Sequence, residues 1–231
     1  MDTAIVNTSL GISLITAGLV SRRDLSLALA RAPILVAADG GANRALALGH
    51  RPEAVVGDFD SITPATLAAL NPARLHKLDE QETTDFHKAL RLIRAPFVIG
   101  LGCLGGRLDH ELAVLNALVC RSQPPCVLLG SQDVAFAAPA GRWVTLALTP
   151  GDRLSLFPLA PVSGESEGLE WPIRGLQFRP DGRIGTSNRA AARAVRLRFD
   201  APGMIVILPR RRLDAALAAV TSGPSDAAPR V

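Results

Sequence analysis

Apolar residues along this chain follow two rhythms. In roughly the first 130 positions, short unbroken apolar runs alternate with segments whose apolar residues recur every three or four places, the pattern of a parallel sheet flanked by helices. Residues 12–17, 34–38, 54–56, 75–78, 97–101 and 127–129 read as strands, and residues 23–31, 41–48, 64–70, 84–94 and 108–120 as helices. In the last helix Leu108, Leu112, Leu115 and Val119 recur at helical spacing and predict one buried stripe. From Gly141 the rhythm changes to period two, in residues 143–148, 153–157, 176–178 and 195–199. Pro150-Gly151, Pro180-Asp181-Gly182 and Ala201-Pro202-Gly203 break these runs with turn chemistry. A small antiparallel β domain follows, with a short terminal helix at 213–220. The expected class is α/β, a three-layer parallel-sheet domain over 1–138 followed by an antiparallel β-sandwich domain over 139–221 and a flexible tail over 222–231.

Composition narrows the class. With 231 residues, 48% apolar and 20% charged, the chain can bury one ordinary core or two small ones, which excludes disorder and coiled coil. Its 20 glycines and 17 prolines have no period, so collagen-like and low-complexity architectures drop out as well. The first residues carry no basic segment, and the apolar stretch 10–20 lacks a cleavage pattern and is too short to span a bilayer; no signal peptide or membrane association is expected. Cys103, Cys120 and Cys126 are odd in number and show no C-x-x-C spacing, which argues against a disulfide framework or a zinc site and suits a cytoplasmic protein.

The formal charge is +4, and of 25 basic residues only Lys77 and Lys88 are lysine. Guanidinium groups pair well with phosphate, but tyrosine is absent and aromatics make up 4% of the chain, too few for a base-stacking surface. A nucleic-acid partner is therefore not expected. The acids point elsewhere: ten of the 21 lie between Asp39 and Glu111, and their motifs follow predicted strands. In open α/β sheets those strand ends line the ligand crevice.

Gly57-Asp58-Phe59-Asp60-Ser61 is the sharpest of these motifs. Carboxylates at i and i+2 share one side of an extended chain and call for a cation, and Mg²⁺ accepts one or two carboxylates while keeping room for phosphates. A solvated turn that caps the next helix is the other reading. Gln81-Glu82-Thr83-Thr84-Asp85 leads into a helix that Thr83 or Thr84 could cap, with Asp85 in its first turn or turned towards the same metal. Gly100-Leu101-Gly102-Cys103-Leu104-Gly105-Gly106 has the spacing of a dinucleotide loop, but no acid stands about twenty residues on, so a nicotinamide site is rejected. What remains is a loop in which Gly105 and Gly106 let backbone amides approach an anion, then Arg107 for phosphate oxygens and Asp109 for metal or proton work. His87 and His110 follow motif aspartates and are read as structural.

Ala38-Asp39-Gly40-Gly41-Ala42-Asn43, the Asp58 and Asp85 motifs, Gly105-Gly106-Arg107-Leu108-Asp109-His110, Gly168-Leu169-Glu170-Trp171-Pro172 and Thr186-Ser187-Asn188 together, in this order, resemble the thiamine pyrophosphokinase family from about residue 12 to 209. The resemblance implies a catalytic α/β domain, a β-sandwich domain, a homodimer with thiamine held at the subunit interface, and transfer of a diphosphoryl group from ATP to thiamine with release of AMP. By motif match Asp58, Asp60 and Asp85 would hold Mg²⁺, and Arg107 would bind phosphate oxygens. Asp109 would orient or deprotonate the acceptor hydroxyl or serve the metal. Gln81 and Thr84 would touch the nucleotide, Asp39 and Asn43 would line the pocket, Trp171 would stack on thiamine, and Ser187 and Asn188 would hydrogen-bond the ligand. The first strand ends in Thr16-Ala17-Gly18, less glycine-rich than the family pattern, which weakens the case for nucleotide contact by that loop. A Mg²⁺-dependent phosphohydrolase built on the same acids is the competing reading, and it leaves Trp171 and Ser187 without a role.

Overall fold

Each unbroken apolar run of the first half forms a strand. The computed structural model describes residues 4–80, 82–120 and 124–223. A short strand β1 (Val6–Asn7) is followed by β2 (Ile12–Ile15), α1 (Arg22–Leu29), β3 (Ile34–Ala38), α2 (Gly41–Ala47), β4 (Ala54–Gly57), α3 (Pro64–Ala69), β5 (Leu75–Lys77), α4 (Asp85–Arg91), β6 (Ile93–Arg94), β7 (Val98–Leu101), α5 (Leu108–Cys120) and β8 (Cys126–Leu129). Six of the strands form a parallel sheet in the order β8-β7-β2-β3-β4-β5. Every residue of β2, β4, β7 and β8 is buried, as expected when helices cover a parallel sheet.

The helices begin where the chain supplies caps. Ser21 and Asp24 form a reciprocal capping box on α1, Thr63 with Pro64 opens α3, and Thr84 caps α4. The helix expected over 84–94 is shorter, because Ile93 and Arg94 pair with β1 instead. The stripe expected on α5 needs correction. Leu108 and Leu112 are 69% and 51% exposed, and the buried residues are Val114, Ala117 and Leu118. These three have the same i, i+3, i+4 relation but lie on another face of the helix.

The chain divides into two compact units, the first running to Ala117 and including β8, the second running from Gln132 onward. The second unit contains β9 (Asp133–Ala137), β10 (Val144–Ala147), β11 (Arg153–Pro158), β12 (Val162–Glu167), β13 (Gln177–Phe178), β14 (Gly185–Arg189), β15 (Ala194–Phe199), β16 (Met204–Pro209) and α6 (Leu213–Thr221). Its strands are antiparallel, in the orders β10-β15-β12-β13 and β14-β11-β16-β9. Strands β9, β12, β14 and β16 were not expected from the pattern. Alternation could not reveal them: β16 is apolar nearly throughout, while β12 and β14 are almost wholly polar.

The C-terminal arginines find their role in this unit. Asp152 is 2% exposed and accepts the Thr149 N–H at 2.7 Å, while Arg211 and Arg212 both ion-pair with its carboxylate. Burial alone would raise the Asp152 pKa, but the Thr149 amide and the two guanidinium groups outweigh it and hold it below the usual carboxylate range. Its stabilising contribution is therefore present above the unfolded value near ~3.9 and is lost as pH falls through the lower folded value. Asp152→Ala is expected to destabilise the protein by about 2–3 kcal/mol at neutral pH, and to flatten the loss of stability below about pH 4, in denaturant titrations.

Candidate active site

At the carboxyl edge of the parallel sheet the chain runs outward from β2 in opposite directions, through β3 to β5 on one side and through β7 to β8 on the other. Such a switch point leaves a crevice, and here it is a cleft of about 580 Å³. Close backbone packing shapes it. A Cβ on Gly18 would fall on the Gly102 carbonyl, and one on Gly41 would fall on the Ile15 carbonyl, so both crossings require glycine. Thr16, Ala17 and Gly18 line the cleft.

Asp39 leaves the end of β3 with φ of +43°, its N–H still bonded to the Val56 carbonyl at 2.8 Å. Phe59, between the two aspartates of the next loop, also has a positive φ, +70°. Strain of this kind in non-glycine residues is held in place by its surroundings and clusters at working sites. It brings Asp39, Asp58 and Asp60 together: each offers a carboxylate oxygen within 4.8 Å of those of the other two. Asp39 is 4% exposed, and its Oδ1 is buried with no hydrogen-bond partner. A buried acceptor left in this state costs free energy unless a donor or a cation meets it. Three oxygen ligands graded from buried to exposed, one of them unsatisfied, fit a hard divalent cation that keeps part of its shell for water and phosphate.

Asp85 stands beside this triad rather than within it. Its Oδ1 accepts from Lys88 Nζ at 3.1 Å, and Lys88 is 2% exposed. Burial raises the Asp85 pKa, Lys88 opposes that rise, and the charges of Asp39 and Asp58 add to it. Asn43 does not line the cleft; its Nδ2 donates to the Ser61 carbonyl at 2.7 Å and its Oδ1 accepts the Thr63 N–H at 3.0 Å. Both ends of the amide thus fasten the loop that carries Asp58 and Asp60 to α2.

Across the cleft, Arg107 and Asp109 form a bidentate pair, Nε to Oδ1 at 3.1 Å and Nη2 to Oδ2 at 2.6 Å. The hydrogen bond from Arg107 brings the Asp109 pKa down to about 2. Gly106 donates its N–H to Glu111 at 2.7 Å, which closes the glycine loop onto the first turn of α5. Arg107, His110, Glu111 and Val114 line the cleft at i, i+3, i+4 and i+7, one helix face. That spacing was present in the sequence, masked by the more conspicuous leucine stripe. Thr84, Asp85 and Gly106 also line the cleft, whereas Gly105 lines a separate cavity of about 310 Å³. Gln81 lies outside the described residues. The Cys103 thiol lines the cleft too, but burial pushes it up to about 12, so it serves as an apolar wall.

The second unit holds the remaining candidates. Trp171 is 52% exposed, Ser187 is exposed with φ of +63°, and Asn188 is 7% exposed. The Asn188 amide is bonded to the main chain of Trp171.

The family model described as thiamin pyrophosphokinase, catalytic domain, matches residues 25–128, and the one described as thiamin pyrophosphokinase, vitamin B1 binding domain, matches residues 144–204. Thiamine pyrophosphokinase 1 of Oryza sativa subsp. japonica is 30% identical over 202 residues, which span 74% of this chain and 76% of the relative. Thiamin pyrophosphokinase 1 of Caenorhabditis elegans is 29% identical over 187 residues, spanning 73% and 76%. Among solved structures, a protein from Lactobacillus plantarum superposes with a TM-score of 0.75 at 26% identity, covering 87% of this chain and 99% of that one. Thiamin pyrophosphokinase from Candida albicans superposes with a TM-score of 0.73 at 18% identity, covering 87% and 89%, a likeness of fold.

The role of Asn43 can be checked directly. Asn43→Ala removes two bonds from the acidic loop, at a cost of about 1–2 kcal/mol. We expect Mn²⁺ to bind roughly tenfold more weakly, read by calorimetric titration, with the far-ultraviolet dichroism unchanged.

Proposed function

The chain belongs to the thiamine pyrophosphokinase family, and from that premise we propose how its residues carry out the transfer of a diphosphoryl group from ATP to the hydroxyl of thiamine. The family's reaction forms a bond from the thiamine hydroxyl oxygen to the β-phosphorus of ATP and breaks the bond from that phosphorus to the α,β-bridging oxygen. AMP leaves with that oxygen, and the hydroxyl proton is released. Chemistry of this kind depends on positioning and on neutralising charge. The observation that carries our assignment is the carboxylate triad gathered at the switch point of the sheet, whose buried member Asp39 lines the same cleft as Arg107.

Asp39, Asp58 and Asp60 would hold Mg²⁺. When bound, the ion supplies positive charge to the phosphate oxygens of ATP. Asp85 lines the same cleft and adds to its acidic wall, its own charge balanced by Lys88. Arg107 offers a planar fork of donors to the phosphate oxygens, and the glycine loop keeps side chains out of their way. Asp109 is assigned to orienting Arg107 through their bidentate pair, which holds the Asp109 carboxyl low, at about 2. Thr84, which lines the cleft, is assigned to the nucleotide, as is Gln81 by its motif.

Thiamine recognition is assigned to residues 139–221, and ATP and metal binding to residues 1–138, in keeping with the two family matches. Trp171 presents an indole face suited to a cationic aromatic ring, and Ser187 precedes Asn188, the residue whose amide bonds the Trp171 main chain. A homodimer completes this reading, supported by the exposed leucines Leu108 and Leu112 on the outer face of α5 and by the exposure of Trp171. No helix among the described residues is long and apolar enough to cross a membrane. Cys103, Cys120 and Cys126 form no disulfide with one another, in keeping with a reducing, cytoplasmic setting. Nothing among the relatives supports the hydrolase alternative.

The test is product identity. Incubated with Mg²⁺, ATP and thiamine, the protein is expected to form AMP and thiamine diphosphate in equal amounts, resolved by ion-exchange chromatography. Formation of ADP, or turnover of ATP that does not depend on thiamine, would contradict the assignment.

A further inference from the structure

The segment that carries Trp171 is joined to the segment Asn188–Ala192 like two short strands. Glu170 donates its N–H to the Arg189 carbonyl at 2.9 Å, Ala191 and Ala192 donate to the Gly168 carbonyl at 2.8 and 3.3 Å, and Leu169 bridges to Ala190. The next rung, at Trp171, is made by a side chain. Asn188 Nδ2 donates to the Trp171 carbonyl at 2.7 Å, and Asn188 Oδ1 accepts the Trp171 N–H at 3.3 Å and the Arg189 N–H at 2.7 Å. One planar amide therefore reads both polar groups of the Trp171 main chain, and its two acceptor lone pairs are both used.

The surroundings keep this arrangement in place. Asn188 is 7% exposed, and the residue before it, Ser187, turns the strand with φ of +63° while its N–H donates to Ser155 Oγ at 3.0 Å. Ser155 sits where the pairing of β11 with β14 shifts register, between Leu154 and Leu156. On the other side, Pro172 restricts Trp171 to extended backbone conformations. The backbone of Trp171 is thus fixed at every joint, although its indole is 52% exposed. Ordering a backbone before a ligand arrives removes that cost from binding.

We infer that Asn188 is a positioning residue, acting on the organic substrate by holding the main chain that presents the Trp171 indole, and making no contact with the substrate itself. The inference rests on the reading of Trp171 as the platform for thiamine. It replaces the expectation, drawn from motif resemblance, that Asn188 hydrogen-bonds the ligand.

A double-mutant cycle on the full-length enzyme tests it, with KM for thiamine and for ATP and kcat measured for each variant. Trp171→Ala is expected to raise the thiamine KM about 30-fold, the scale of a lost cation–π stack. Asn188→Ala is expected to raise it about tenfold with kcat and the ATP KM unchanged, because only presentation of the platform is lost. In the Trp171→Ala background, Asn188→Ala should add nothing. If the two effects multiply, Asn188 touches thiamine and the inference is overturned. It is also overturned if Trp171→Ala raises the thiamine KM while Asn188→Ala does not. An unchanged thiamine KM in Trp171→Ala would refute the platform reading itself, an outcome distinct from the other two. Should Asn188→Ala fail to fold, Asn188→Asp is isosteric, keeps the oxygen that accepts the Trp171 and Arg189 N–H groups, and replaces the donor to the Trp171 carbonyl by a repelling carboxylate oxygen; it should show the same split between KM and kcat, and the same silence in the Trp171→Ala background.

Discussion

Three carboxylates crowded to within 4.8 Å of one another, the most buried of them with an unsatisfied oxygen, form the constraint around which the first unit is organised. For the pair Asp39 and Asp58, like charges at that separation and an effective dielectric of 20 repel by about 3–4 kcal/mol. A fold does not maintain this by accident. The parallel sheet brings Asp39 and Asp58 to neighbouring strand ends, positive φ at Asp39 and Phe59 turns the chain there, and the Asn43 amide secures the loop. Lys88 supplies a buried positive charge at the edge of the cluster, on Asp85. The opposite wall provides the complement, an exposed guanidinium already aligned by Asp109.

Much of this was legible in the sequence because it depends on period and order. Unbroken apolar runs gave the parallel strands, and acids just beyond them gave the cleft, since the strand ends of such a sheet share one edge. What pattern could not convey was the choice among neighbours. Asp39 and Asp85 both follow strands, yet backbone curvature at Asp39 carries its side chain into the triad, while Lys88, one helical turn away, engages Asp85. The leucine stripe of α5 misled for a related reason. Periodicity shows that a helix has faces but not which face turns inward; here a single face does, its C-terminal part meeting the core through Val114, Ala117 and Leu118 and its N-terminal end bordering the cleft through Arg107, His110 and Glu111.

In the second unit the polar motifs hid the strands that contain them. Gly185–Arg189 looks like a loop and is a strand, and its most conspicuous residue, Asn188, is engaged with backbone. The arginine excess resolves in a similar way. Arg211 and Arg212 close on buried Asp152, Arg153 pairs with Asp133, and Arg196 lies between Glu167 and the Trp143 ring at 4.6 Å. These arginines are structural, so the net charge of the chain says little about its ligands.

The central claim is that the triad of Asp39, Asp58 and Asp60 is the seat of the divalent cation. Anomalous diffraction from crystals grown with Mn²⁺ and a non-hydrolysable ATP analogue tests it most directly. The account predicts a peak at coordination distance from oxygens of all three aspartates, the Asp39 Oδ1 among them. A peak ligated by Asp85 and lacking Asp39, or none in the cleft with the nucleotide bound, would contradict it.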